Sequence, residues 1–282
     1  MANIIQNPIV LSIAGSDSSA GAGIQADLKT ISALGGYACT AITAVTAQNT
    51  QGVRSLNPVP QTVLREQCEA VFDDLDIAAV KIGMLPNVDS VATVAEILHK
   101  YQPKFVVLDP VMVATSGDSL VENNICQALI SELLPLADIV TPNVSELAQL
   151  TDCAETAIHA DTLVKKQCEK LLQKGAKAVL AKGGHLESET ATDWLVMPDF
   201  SKAYVKKRIQ TKNTHGTGCT LSSAIATMRP QVTGLPEAVA AAKNFVHGAI
   251  EESANWVLGK GHGPLDHFYT NLSSYHFTAT PE

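Results

Sequence analysis

Short apolar runs rich in β-branched residues alternate along this chain with longer stretches whose apolar positions recur every three or four residues. The short runs predict strands at Ile9–Ala14, Cys39–Thr46, Ala79–Ile82, Phe105–Leu108, Ile139–Val140, Ala178–Ala181, Thr192–Met197 and Ala203–Gln210. The longer stretches predict helices at Ile24–Leu34, Gln61–Phe72, Val88–Tyr101, Glu122–Leu134, Val144–Leu150, Thr162–Gln173, Cys219–Met228 and Pro236–Leu258. Gly35-Gly36 and Gly175 mark helix stops. Strand and helix in this rhythm imply βαβ units: an α/β fold with a mainly parallel central sheet and helices on both faces, in three layers. No low-complexity linker breaks the rhythm, so residues 1–282 read as one domain. Thr46 to Pro60 lack a clean pattern and are assigned to a lid or a dimer edge.

Composition narrows the class. The chain has 282 residues, 46% of them apolar and only 5% aromatic, enough to bury a large α/β core. No apolar run approaches the ~20 residues of a membrane span. The first residues carry no basic segment of the kind that opens a secretory signal. Six cysteines are scattered without C-x-x-C spacing, which argues for a reducing cytoplasm over disulfides or a zinc site. The net charge of −8 disfavours nucleic acid as a partner. The basic run Lys206-Lys207-Arg208, with Lys212, reads as a solvated strand face.

In such folds ligands sit beyond the carboxyl ends of the parallel strands, and the polar loops of this chain fall there. The loop Asn213-Thr214-His215-Gly216-Thr217-Gly218-Cys219 runs directly into a small-residue helix. Unpaired N–H groups in a first helical turn, approached closely through glycines, make an anion cradle. Cys219 adds an ionisable thiol at its edge, and a helix N-terminus is expected to lower a thiol pKa. The bland alternative is a small buried hydrophobe. Lys182-Gly183-Gly184-His185 ends another apolar strand and suits phosphate contact, although strand-end glycines are also turn chemistry. Asn143 and Glu146 have the N-cap and N3 spacing of a capping box. The alternative is that Glu146 orients water on Mg2+, with Asp109, a carboxylate ending an apolar strand, as second candidate. His215 has no evident partner, and His185 reads as a surface histidine. Gly15–Gly23 lacks the G-x-G-x-x-G spacing of a Rossmann loop, no Walker motif occurs, and a nicotinamide-dependent oxidoreductase is disfavoured.

Taken together, these motifs resemble the ribokinase-like superfamily, and within it the hydroxymethylpyrimidine/phosphomethylpyrimidine kinases of thiamin biosynthesis. The matching pieces are Ile13-Ala14-Gly15-Ser16-Asp17, Gly21 to Thr30, Ala47-Gln48-Asn49-Thr50, Lys81 to Leu85, Leu108 to Met112, Ser116-Gly117-Asp118, Thr141-Pro142-Asn143 with Glu146, Lys182 to His185, and Thr211 to Thr220. Coverage runs from about residue 9 to 265. The resemblance implies a ribokinase-like fold and ATP-dependent phosphorylation of a hydroxymethylpyrimidine, then of its monophosphate. It implies Gly15 and Asp27 near the pyrimidine, Gln48 on its polar edge, and Met84 and Val111 along the ring. Gly216, Thr217 and Gly218 would be the anion hole, with Cys219 as base. ATP along Asn143, Lys182, Gly183 and Gly184, Mg2+, a cytoplasmic location and a homodimer are expected with it. A pyridoxal or pyridoxamine kinase, or a non-catalytic vitamer sensor, are the rival readings. Two positions depart from the usual pattern: Ser18 stands where proline is common, and Ala20 where glycine is.

Overall fold

The computed structural model describes residues 7–113, 117, 120–121, 124–154, 161–183 and 189–270. Among these, nine strands form one sheet in the order β3-β2-β1-β4-β5-β6-β7-β8-β9. The strands are β1 (Ile9–Asp17), β2 (Tyr37–Asn49), β3 (Gly52–Pro58), β4 (Ala79–Ile82), β5 (Val106–Leu108), β6 (Ile139–Val140), β7 (Val179–Lys182), β8 (Thr190–Met197) and β9 (Phe200–Lys207). The helices are α1 (Gly23–Ala33), α2 (Gln61–Asp74), α3 (Val88–Tyr101), α4 (Ile125–Ala128), α5 (Val144–Leu150), α6 (Asp161–Gln173), α7 (Thr217–Met228) and α8 (Leu235–Ser253).

Strands β2, β1, β4, β5, β6 and β7 are mutually parallel, whereas β3, β8 and β9 join antiparallel. The mainly parallel sheet expected from the sequence is therefore present. Alternate residues of a buried strand serve opposite faces, which explains the continuous apolar runs. Leu11, Ile13, Val80, Ile82 and Val106 join the core under α2, α3, α5 and α6. Val10, Ala79, Val107 and Ile139 join the core under α1, α7 and α8. Those two cores make the three layers.

Three elements differ from expectation. The Thr46–Pro60 stretch is no irregular lid: β2 runs on to Asn49, turns, and returns as β3 along the sheet edge. Most of β3 is solvated or half-solvated, so it shows little hydrophobic alternation to read. The helix expected over Glu122–Leu134 is a short α4 continued by a π-helical turn at Leu129–Leu133. Helix α8 stops at Ser253, and the chain beyond it folds back along the active face. Among the described residues no helix is long and apolar enough to cross a membrane.

The chain leaves β1 toward β2 on one side and resumes at β4 on the other. This reversal opens a crevice at the carboxyl ends of β1 and β4, the usual ligand position in open α/β sheets.

Candidate active site

A cavity of about 570 Å3 occupies that crevice. Gly15, Gln48, Met84 and Val111 line one end. Asn143, Glu146, Lys182 and Asp109 line the other, and Gly216, Thr217, Gly218 and Cys219 stand between. The structure thus brings together almost all of the residues singled out from sequence. Gly184 and His185 lie outside the described residues.

The cradle is built by the backbone. Gly216 caps α7 with φ +83°, and a Cβ there would collide with the carbonyl oxygen of Gly21. Only glycine meets both demands. Thr217 Oγ1 donates to Thr214 O at 2.7 Å and Thr220 Oγ1 to Gly216 O at 2.9 Å, which fixes the turn. The N–H groups of Gly218 and Cys219 have no hydrogen-bond partner among the described residues. They are the donors an anion would meet first.

Cys219 corrects one expectation. Burial pushes its thiol up to about 11. Lys81 pulls the other way, Asp27 and Asp109 add to the rise, and the Gly23 N–H bond favours the thiolate. Desolvation and the two carboxylates therefore outweigh Lys81 and the Gly23 N–H, and the thiol is neutral at neutral pH, contrary to the expected lowering.

Asp27, expected near the pyrimidine, is held from beneath the cavity. It is fully buried and is absent from the cavity wall. Lys81 Nζ donates to its two oxygens at 2.9 and 2.8 Å, Ser12 Oγ at 2.5 Å and Ser223 Oγ at 2.7 Å. These four contacts take up the acceptor sites of the carboxylate. Asp27 is a brace beneath the site.

Asp109, also fully buried, accepts from Lys182 Nζ at 2.8 Å, Thr141 Oγ1 at 3.0 Å and Ser222 Oγ at 3.1 Å. Burial opposes its charge, but Lys182 and Lys81 outweigh burial and hold the carboxyl below the usual range. Glu146 completes a capping box: Asn143 N donates to its Oε2 at 2.7 Å, and Glu146 N donates to Asn143 Oδ1 at 2.8 Å. Lys182 Nζ is 3.7 Å from the same Oε2. Burial pushes Glu146 up to about 7; Lys182 pulls it down and Asp109 adds to the rise. Lys182 thus lies between the two carboxylates at the cavity wall, and a further cation there would favour the charged form of Glu146.

Several participants were not foreseen. Asp193 on β8 accepts from Gly183 N at 3.1 Å and from Lys243 Nζ of α8 at 2.6 Å. The run Lys206-Lys207-Arg208, read as a solvated face, is exposed or half-exposed and also borders the cavity. His215 has a partner, Asp17, at 2.8 Å.

The two unusual loop residues have distinct consequences. Ser18 Oγ donates to Gln48 O at 2.7 Å and accepts from Gln48 N at 2.8 Å, so it holds the Gln48 backbone where β1 has ended. Thr46 Oγ1 lies 3.1 Å from the Gln48 side-chain amide. Ala20 adopts φ +62°, a left-handed backbone that costs alanine about 1–2 kcal/mol. Ala20→Gly is expected to gain about 0.5–1 kcal/mol after glycine's extra chain entropy is counted. A denaturant midpoint measures it, and a lower midpoint would mean that the methyl contributes packing.

Comparison with known proteins follows this geometry. A family model described as phosphomethylpyrimidine kinase matches residues 17–266. The hydroxymethylpyrimidine/phosphomethylpyrimidine kinase of Rhizobium meliloti is 49% identical over 261 residues, covering 93% of this chain and 97% of the relative. The crystal structure of phosphomethylpyrimidine kinase from Clostridium difficile is 44% identical with a TM-score of 0.76, covering 86% of this chain and 99% of that one. An ADP complex of Bacillus subtilis pyridoxal kinase is 34% identical with a TM-score of 0.86, covering 95% of this chain and 100% of that one.

Proposed function

The chain belongs to the phosphomethylpyrimidine kinase family, and from that premise we propose that it carries out both phosphorylations of the thiamin pyrimidine. The γ-phosphoryl of ATP passes to the hydroxymethyl oxygen of 4-amino-5-hydroxymethyl-2-methylpyrimidine. A second transfer turns the monophosphate into the diphosphate. The observation that carries this reading is one continuous cavity with the helix start of α7 among its lining residues. An aromatic acceptor fits between Met84 and Val111 with Gln48 at its polar edge, and a nucleotide fits along Asn143 and Lys182, with Gly183 held behind them by Asp193.

Phosphoryl transfer asks the protein mainly for alignment and charge. The bond from the γ-phosphorus to its bridging oxygen breaks as the bond to the acceptor oxygen forms. Lys182 and the N–H groups of Gly218 and Cys219 face the charge that moves. Cys219, as thiolate, takes the hydroxyl proton. The fit for Mg2+ rests on Glu146 and Asp109, two carboxylates on the cavity wall, the oxygen donors Mg2+ uses beside phosphate oxygens and water. Among the described residues no cluster of three or more ligands is present, so the ion would arrive with ATP. When bound, it would neutralise phosphate charge. We place the enzyme in the cytoplasm as one kinase domain, paired with a second copy along the exposed β3 edge.

Glu146→Gln keeps an oxygen for the capping bond and removes the charge. The Mg2+ concentration for half-maximal rate should then rise, while the melting temperature does not fall. A lower melting temperature, with the Mg2+ response unchanged, assigns Glu146 to capping alone. The reading as a whole is tested by ADP release with the pyrimidine, its monophosphate, pyridoxal and pyridoxamine. The pyrimidine and its monophosphate should support turnover best. Faster turnover of pyridoxal would make the chain a pyridoxal kinase.

A further inference from the structure

None of the roles above uses His215 or Asp17, yet the two meet where the acceptor loop touches the cradle. They lie 198 positions apart in sequence and are 5% and 3% exposed. Asp17 ends β1. Its Oδ1 accepts from Ser19 N and Ser19 Oγ, both at 2.8 Å. Its Oδ2 accepts from Gly21 N at 3.1 Å and Ala22 N at 2.9 Å, and the same oxygen is 2.8 Å from His215 Nε2. Burial raises the Asp17 pKa, but His215, Ser19 and Ala22 outweigh it and bring the carboxyl to about 2. The carboxylate is therefore charged at working pH, and His215 Nε2 must be the donor.

The contact is closed on both sides. A Cβ on Gly21 would collide with the His215 ring, just as one on Gly216 would strike Gly21 O. On its far side, His215 N donates to Gly263 O at 3.0 Å, in the segment that folds back after α8. One buried carboxylate thus organises the turn that starts α1 and receives the residue immediately before the cradle.

We infer that the Asp17–His215 bond is the joint that fixes the acceptor loop against the anion cradle, which makes both residues positioning residues for phosphoryl transfer. The inference rests on the kinase reading above. Reacting atoms must lie about 3–3.5 Å apart, and a misplacement of about 1 Å can cost 10²-fold. A loosened joint also admits water to the γ-phosphorus. Water then takes the phosphoryl group, giving ADP and inorganic phosphate without any phosphorylated acceptor.

His215→Leu should lower kcat about 10- to 100-fold and leave both KM values within about threefold. The ratio of ADP formed to acceptor phosphorylated should rise above one. His215→Gln, whose amide can still donate to Asp17, should keep the ratio at one and most of the rate. Should His215→Leu not fold, His215→Asn, too short to reach, is read the same way. Backbone exchange in the empty protein is a second readout: the Gly21 and Ala22 amides should exchange faster in His215→Leu. A ratio that stays at one, a loss confined to one KM, or unchanged exchange overturns the joint. If wild type accepts pyridoxal and not the pyrimidine, the functional reading fails, and the ratio taken with pyridoxal still judges the joint.

Discussion

Replacing Cys219 with alanine is expected to slow the first phosphoryl transfer by about 10²–10⁴ and the second by far less. The first acceptor is an alcohol, which must lose a proton as it attacks. The second is a phosphate monoester, already an anion near neutral pH because its second pKa is about 6. Only the first step needs a base. Because burial holds the thiol at about 11, the reactive thiolate is scarce at neutral pH. The sign follows: the rate of the first transfer should climb with pH toward that value, and Cys219→Ala should flatten the climb. Cys219→Asp should recover part of the first step, since a carboxylate is a base at neutral pH. Single-turnover rates, started separately from the alcohol and from the monophosphate across pH 6–9, make the measurement. Equal losses in both steps would mean that Cys219 shapes the cradle and takes no proton. No loss in either would return it to a small buried residue.

Lys81→Met is expected to be the most destabilising single change at this site, costing about 3–5 kcal/mol. Lys81 and Asp27 are both fully buried and in direct contact. Removing one partner strands the other as an uncompensated charge in the core. The cost comes from Asp27, so Lys81→Met with Asp27→Asn should recover most of it. The asparagine keeps an oxygen for Ser12 or Ser223 and carries no charge. Urea unfolding of the two variants beside wild type makes the comparison. A loss below about 1 kcal/mol in Lys81→Met, or no recovery in the double variant, would show that this pair does not brace the floor. The same lysine stands near Cys219 and favours its thiolate, so the brace also sets the chemistry above it.

Strands, most helices and the layer arrangement were legible because each is written locally. Runs such as Ala79–Ile82 and Val106–Leu108 are apolar on both faces since both faces are covered by helices. The cradle was legible for the same reason: Gly216, Gly218 and Cys219 lie within one turn of each other. Strand β3 was not, because a solvated edge strand shows no alternation of burial to detect. Pairings across the chain were not legible either. Asp17 with His215, Asp27 with Lys81, and Asp193 with Lys243 each join segments that only the sheet brings together. Some local signal did exist. Asp17, like Asp109, is a carboxylate ending an apolar strand, and Lys81 is a lone cation within one. Such residues demand partners. Asp27 was placed near the pyrimidine only by the family resemblance; its contact with Lys81 beneath the cavity, made from the inward face of α1, had no local signal in the sequence.

The left-handed backbone at Ala20 has a consequence for how this chain can change over generations. Every alanine codon becomes a glycine codon through a single base substitution. A more stable form of the loop is therefore an immediate mutational neighbour of the present one. A lineage that first accepts a costly substitution among the acceptor-reading residues could regain the lost stability at position 20 alone. Changes in substrate preference would then be open to it that a chain already carrying glycine there would have to offset elsewhere.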